Sequence, residues 1–186
     1  MTCIVGINQG RTVWIGGDSA MTGGDLGQGI SLDPKVFIIA DEFAFGICGS
    51  PKLMNVLCHN FDIKKQKTGD DNKYFCSEFI TSLKEAFVAG GCTVDHPEHG
   101  TCFEGELLAG YRGRLYRIQS NFQIITDAYG FTSVGSGSDI AIGSLHATKN
   151  DHPKRRILKA LEASAIANAA VRPPFNIVSV TKSIWK

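Results

Sequence analysis

What most constrains this chain is the order in which its apolar runs change period. Short runs rich in β-branched and aromatic residues, cut by glycine-bearing turns, fill residues 3–48. Helical spacing takes over between 51 and 89, short runs return from 103 to 134, helical spacing follows again, and a last run spans 175–181. The order is strands, two helices, strands, two helices, strand. Strand blocks of this size cannot be covered on both faces by one helix layer each unless two sheets stack. The expected fold is therefore α+β, a four-layer α/β/β/α sandwich of two stacked antiparallel sheets. Other α+β arrangements satisfy the same periodicity. At 186 residues the chain is long enough for one sizeable core and short for two, so a single domain over 1–186 is expected.

Within that frame, residues 3–7 and 12–16 read as a hairpin turning at Asn8-Gln9-Gly10. Residues 35–40 and 43–48 read as a second, turning at Asp41-Glu42. The glycine-rich stretch 22–29 reads as a loop or irregular strand close to a ligand or partner. Ser50-Pro51 has the form of a helix start, a capping hydroxyl followed by proline, leading to Leu53, Val56 and Leu57. Residues 64–73 are charged and read as a solvated connection. From 75 to 89, Phe75, Phe79, Leu83 and Phe87 form one stripe at helical spacing, which marks a core face. After a polar loop over 93–101, strands are expected at 103–111, 115–118, 122–125 and 131–134. Helices then start at Asp139 and about Lys154, and the closing strand ends at Thr181.

Composition excludes several classes of function. Hydrophobic residues make up 43% and charged residues 20%, with a formal net charge of +1, so no nucleic-acid or acidic-membrane partner is implied. No apolar run approaches the roughly 20 residues that span a bilayer. The N-terminus has no basic segment followed by an apolar stretch, which implies a cytoplasmic location. The six cysteines, Cys3, Cys48, Cys58, Cys76, Cys92 and Cys102, are scattered and read as reduced, buried small hydrophobes. Cys3 alternates with Thr2 along the first strand, so it points to the opposite face.

The chemistry is concentrated at the start. If Met1 is removed, which the small second residue permits, Thr2 carries a hydroxyl and an α-amine on adjacent carbons. An α-amine, with an ordinary pKa of roughly 8, can serve as the base for its own hydroxyl. Read alone, Thr2 is more simply the start of an ordinary edge strand. The weight comes from separated motifs: Thr2-Cys3-Ile4-Val5-Gly6; Gly17-Asp18-Ser19-Ala20-Met21-Thr22; Lys35-Val36; Cys48-Gly49-Ser50; and Ser133-Val134-Gly135-Ser136-Gly137-Ser138.

In this order and at these separations the motifs resemble those of proteasome β-type subunits and the peptidase of the HslUV protease, both N-terminal nucleophile hydrolases. The resemblance covers nearly the whole chain. It implies a threonine-type peptidase, with Thr2 as nucleophile, Lys35 as the adjacent cation and Asp18 as its partner. Gly49 would present its N–H to the oxyanion, and Ser136 would bond near the Thr2 amine. It implies a substrate pocket lined by Met21, Thr22, Asp33, Ile47 and Pro51, with Ile47 favouring apolar side chains of moderate size. It also implies a homo-oligomeric ring enclosing the nucleophiles, peptide or unfolded polypeptide as substrate, and no cofactor, and it leaves open an ATPase unfoldase as partner. One family feature is altered: where an acid and a serine follow the fourth helix as D-x-x-S, this chain has Asn168-Ala169-Ala170-Val171, making Asn168 an accessory residue. Arg172-Pro173-Pro174 then reads as an insertion. The rivals are a small-molecule amidase of the same superfamily and a non-catalytic assembly subunit.

Two other clusters have simpler readings. Cys92, Asp95, His96, Glu98, His99 and Cys102 share one segment, but their spacing fits no common zinc motif, so a polar surface loop is expected. Lys154-Arg155-Arg156 reads as the solvated start of a helix.

Overall fold

The computed structural model describes residues 2–22, 28–67 and 69–183. Its first strands, β1 (Ile4–Gln9) and β2 (Thr12–Gly17), form the expected antiparallel hairpin, with the reversal moved to Gly10-Arg11. The second hairpin, β5 (Val36–Ile39) and β6 (Phe43–Gly49), turns through Ala40 and Asp41 at φ 52° and 55°. Two successive left-handed residues let a tight turn follow the twist of its strands.

Two antiparallel sheets result. β9 (Gly105–Tyr111), β10 (Arg114–Ile118) and β11 (Ile124–Ile125) join the second hairpin in the order β11-β10-β9-β6-β5. β12 (Phe131–Val134) and the closing strand β13 (Asn176–Thr181) flank the first hairpin as β12-β1-β2-β13. Short ribbons are formed by β3 (Ala20–Thr22) with β4 (Gln28–Ile30) and by β7 (Thr93–His96) with β8 (Gly100–Phe103).

Three buried clusters separate four layers, as expected from the element order. Ile4, Val13, Ile15, Val36, Leu108 and Val134 fill the space between the sheets. Outside the five-stranded sheet, α1 (Pro51–His59), α2 (Asp71–Tyr74), a π-turn (Phe75–Phe79) and α3 (Ile80–Ala89) cover an aromatic cluster. Outside the four-stranded sheet, α4 (Ser138–Ala147) and α5 (Pro153–Ala167) close on Cys3, Val5, Ile7, Ala160 and Leu161. The Ser50 hydroxyl caps α1 by accepting from Lys52 N–H, and Phe75, Phe79, Leu83 and Phe87 are all buried.

The structure corrects several local expectations. The helical segment begins at Asp71, inside the expected connection, because the Asp70 carboxylate accepts from the N–H groups of Asn72 and Lys73. The polar loop over 93–101 contains the β7–β8 ribbon; lacking a buried face, it carries no alternation to read. Residues 22 and 28–29 pair within β3 and β4, while 23–27 lie outside the described residues. Only Cys3 and Cys48 of the six cysteines are buried; Cys58 and Cys76 are exposed and Cys92 and Cys102 partly so. Arg156 is not solvated: its guanidinium donates to Leu145 C=O at 2.9 Å and lies over the Phe131 ring. Among the described residues, no helix is long and apolar enough to cross a membrane.

Candidate active site

Thr2 precedes β1, Asp18 follows β2 and Lys35 precedes β5. The inter-sheet packing brings these three strand ends together. The Lys35 ammonium donates to Thr2 Oγ1 at 3.0 Å and to Asp18 Oδ1 at 3.0 Å. Thr2 is 5% and Asp18 0% exposed, so the aspartate has no water to satisfy it. Its partners are built in: Oδ1 also accepts from Cys3 N–H at 2.9 Å, while Oδ2 accepts from Ala20 N–H at 2.9 Å and Arg172 N–H at 3.4 Å. A carboxylate held this way keeps the ammonium in place, and an ammonium beside a hydroxyl oxygen stabilises negative charge developing there.

The glycine-rich turn before α4 closes the other side. Ser136 Oγ accepts from Thr2 N–H at 3.3 Å and donates to Thr2 C=O at 3.4 Å, and Gly137 N–H donates to the same carbonyl at 3.3 Å. Gly135 sits at φ +94°, where a Cβ would run into the Thr2 carbonyl, so the turn can approach β1 only without a side chain. Gly49 ends β6 at φ +117°, and a Cβ there would strike the Glu104 carbonyl. Ile47 N–H donates to Lys35 C=O on the β5 side and Ser50 N–H to Glu104 C=O on the β9 side. That alternation turns the Gly49 N–H to the β5 side, past the last rung of β5.

Asn168 joins this arrangement: its Nδ2 donates to Ser136 C=O at 3.0 Å. Of the residues expected to line a pocket, Met21 is 52% exposed and pairs with Gly29, and Thr22 is its neighbour on β3. Asp33 and Pro51 are exposed, and Ile47 packs into the aromatic cluster from β6. Cys3, on the opposite face from Thr2, is buried against α5, and burial raises its thiol pKa. Burial likewise pushes the Cys48 thiol up to about 11, so neither is poised as a thiolate.

Two contributors were not apparent from sequence. Ser164, fully buried on α5, has its hydroxyl 3.0 Å from Gly137 C=O and 2.9 Å from Ala160 C=O; its one proton is shared between these acceptors and ties the helix to the glycine turn. The segment read as an insertion contacts the site directly: Ser19 N–H donates to Arg172 C=O at 2.9 Å and Ser19 Oγ to Pro174 C=O at 2.7 Å. A serine in a helix-forming window and a backbone N–H have no distinctive local pattern; only the α5–β13 geometry reveals them. Among the described residues, no group of three or more His, Cys, Asp or Glu side chains is placed to hold a metal ion. His96 and His99 stack on each other across the β7–β8 turn, with ring centroids 4.7 Å apart.

No family model matches the chain, and no curated protein is significantly similar in sequence. Solved structures are similar over nearly its full length. BPH from Thiobacillus denitrificans in complex with epoxomicin has a TM-score of 0.79 at 16% identity, covering 98% of this chain and 100% of that one. Eukaryotic HslV from Trypanosoma brucei has a TM-score of 0.69 at 21% identity, covering 97% and 99%. Anbu, an ancestral β-subunit, from Yersinia bercovieri has a TM-score of 0.66 at 10% identity, covering 97% and 82%. The chain thus shares the fold of HslV, BPH and the ancestral β-subunit Anbu, two stacked antiparallel sheets between helical layers.

Proposed function

We propose that this chain is a threonine-type N-terminal nucleophile peptidase, related to proteasome β-subunits and the HslUV peptidase, that cleaves peptide bonds from within a homo-oligomeric ring. The observation that carries this reading is the Lys35 ammonium, 3.0 Å from both Thr2 Oγ1 and Asp18 Oδ1. Removal of Met1 frees the Thr2 amine. That amine accepts the hydroxyl proton as Oγ1 attacks the scissile carbonyl, and Lys35 stabilises the oxygen as it loses the proton. The tetrahedral oxyanion accepts from Gly49 N–H. The ammonium formed on Thr2 passes its proton to the leaving amine, and the C–N bond breaks to leave an ester on Thr2. Water then attacks the ester with the amine as base, which releases a carboxylic acid and regenerates the hydroxyl. Ser136 holds the amine in line. Met21, Thr22, Asp33, Ile47 and Pro51 border the substrate, and the exposed Met21 supplies apolar contact.

Hydrolysis of fluorogenic peptides by the parent and by Thr2→Ala tests the reading, with native mass spectrometry on both. The expected result is cleavage by the parent, none by the variant and the same ring mass for each. Equal cleavage by Thr2→Ala removes Thr2 from the mechanism. An inactive parent that assembles normally favours the assembly-subunit reading. Cleavage of small amides but not peptides favours the amidase.

A further inference from the structure

We infer that Asn168 is a positioning residue that must donate and accept at the same time, so its isosteric acid cannot replace it. The carboxamide orientation is fixed by its partners. Ala170 N–H can only donate, and it donates to Asn168 Oδ1 at 3.0 Å. That leaves Nδ2 toward the Ser136 carbonyl, which can only accept, at 3.0 Å. Asn168 also ends α5, where its N–H donates to Ser164 C=O, and its C=O accepts from Val171 N–H at 3.0 Å. This turn delivers Arg172 N–H to Asp18 Oδ2. One residue therefore connects both halves of the site: the Ser136 hydroxyl against Thr2 on one side, and the Asp18 carboxylate that anchors Lys35 on the other.

A carboxylate at 168 would accept from Ala170 but could not donate to Ser136. Two acceptors would face each other at hydrogen-bond distance, and the negative charge would sit at the C-terminus of α5, where the helix dipole opposes it. Protonation restores the missing donor. The charged groups on the elements that meet here are Arg172 on the same turn, Asp139 on the first turn of α4, which packs on α5, and the Asp18–Lys35 pair behind Arg172 N–H. Comparing variant with parent at each pH cancels their own titration.

The kinetic consequence rests on the peptidase reading, so the experiment has two readouts. For the parent, Asn168→Asp and Asn168→Ser, kcat and KM are measured from pH 8 down to pH 5. Hydrogen–deuterium exchange is followed in the same samples for the peptide containing Gly137, whose N–H donates to Thr2. Asn168→Asp is expected to lose about tenfold in kcat at pH 8 with KM within about twofold, and to regain most of it toward pH 5. Asn168→Ser, which keeps an acceptor for Ala170 but falls short of Ser136, is expected to lose a similar factor at every pH. Exchange at Gly137 is expected to be faster than in the parent with the same pH pattern, whether or not any peptide is cleaved. A parent without peptidase activity overturns the function while exchange still judges this inference. Parent-like exchange in Asn168→Asp at pH 8, or an excess that does not change with pH, overturns the inference.

Discussion

Outside the five-stranded sheet, α1 and α3 cover a layer of stacked rings. Phe75 lies 3.8 Å from Tyr116 and 4.2 Å from Phe79 between centroids, and both phenylalanines are essentially unexposed. Outside the four-stranded sheet, α4 and α5 cover a mainly aliphatic layer in which Cys3, Ser133 and Ser164 are buried with hydrogen-bond partners. The first layer gains its stability from area and ring geometry, which tolerate small shifts. The second places hydrogen-bonded hydroxyls behind Thr2, where a shift that separates partners leaves buried polar atoms unsatisfied. On the proposed function, this molecule separates the layer that holds it together from the layer that would aim its chemistry.

That separation can be broken by substitution. Lys35→Ala is expected to lower peptide hydrolysis by about a thousandfold while leaving the secondary structure intact; activity within tenfold of the parent would show that the ammonium is not needed. Phe75→Ala is expected to destabilise the fold by roughly 3–5 kcal/mol in denaturant titration. At temperatures where it stays folded it should keep the parent's kcat, and a matching loss of kcat would erase the distinction between layers. Gly135→Ala places a side chain at a left-handed position and against the Thr2 carbonyl, and is expected to cost about 1–3 kcal/mol. In this layer the cost should come with a fall in kcat, unlike that of Phe75→Ala.

The smallest effect concerns a polar network beside the aromatic layer. Burial raises the Asp71 pKa, but hydrogen bonds from Lys182, Gln66 and Arg112 outweigh it and hold the carboxyl below the usual carboxylate range. A lowered folded-state pKa contributes stability that is present above the unfolded value of about 3.9 and is lost as pH falls through the folded one. Asp71→Asn should therefore be less stable than the parent by about 1 kcal/mol at pH 7. The gap should begin to narrow below about pH 4, where the unfolded chain's carboxyl takes up its proton first, and should close once the pH falls through the lower folded-state value. A gap that stays constant through that range would show that the charge is not what matters.

Legibility from sequence followed the same division. The phenylalanine stripe was readable because a helix burying one face must repeat at its own period. The meeting of Thr2, Asp18, Lys35 and Ser136 was readable because each sits at one end of an apolar run in a recognisable motif. The start at Asp71 was hidden because its cap, Asp70, lies in a charged stretch that looks solvated. The β7–β8 ribbon was hidden because strands with both faces wet do not alternate. Arg156 was misread because two cations precede it, and only the fold places it over Phe131. Ser164 and the Arg172 N–H act across distances of 27 and 154 residues, beyond any local pattern.

The central claim is that a freed Thr2 hydroxyl, activated beside Lys35, is the nucleophile. Its most direct test is mass spectrometry of the chain after treatment with a peptide vinyl sulfone, an electrophile open to hydroxyls and thiols alike. One adduct is expected, on an N-terminal peptide that begins at Thr2, and it should be absent from Lys35→Ala. Adducts on Cys58 or Cys76 in both proteins, with Thr2 unmodified or still preceded by Met1, would contradict it.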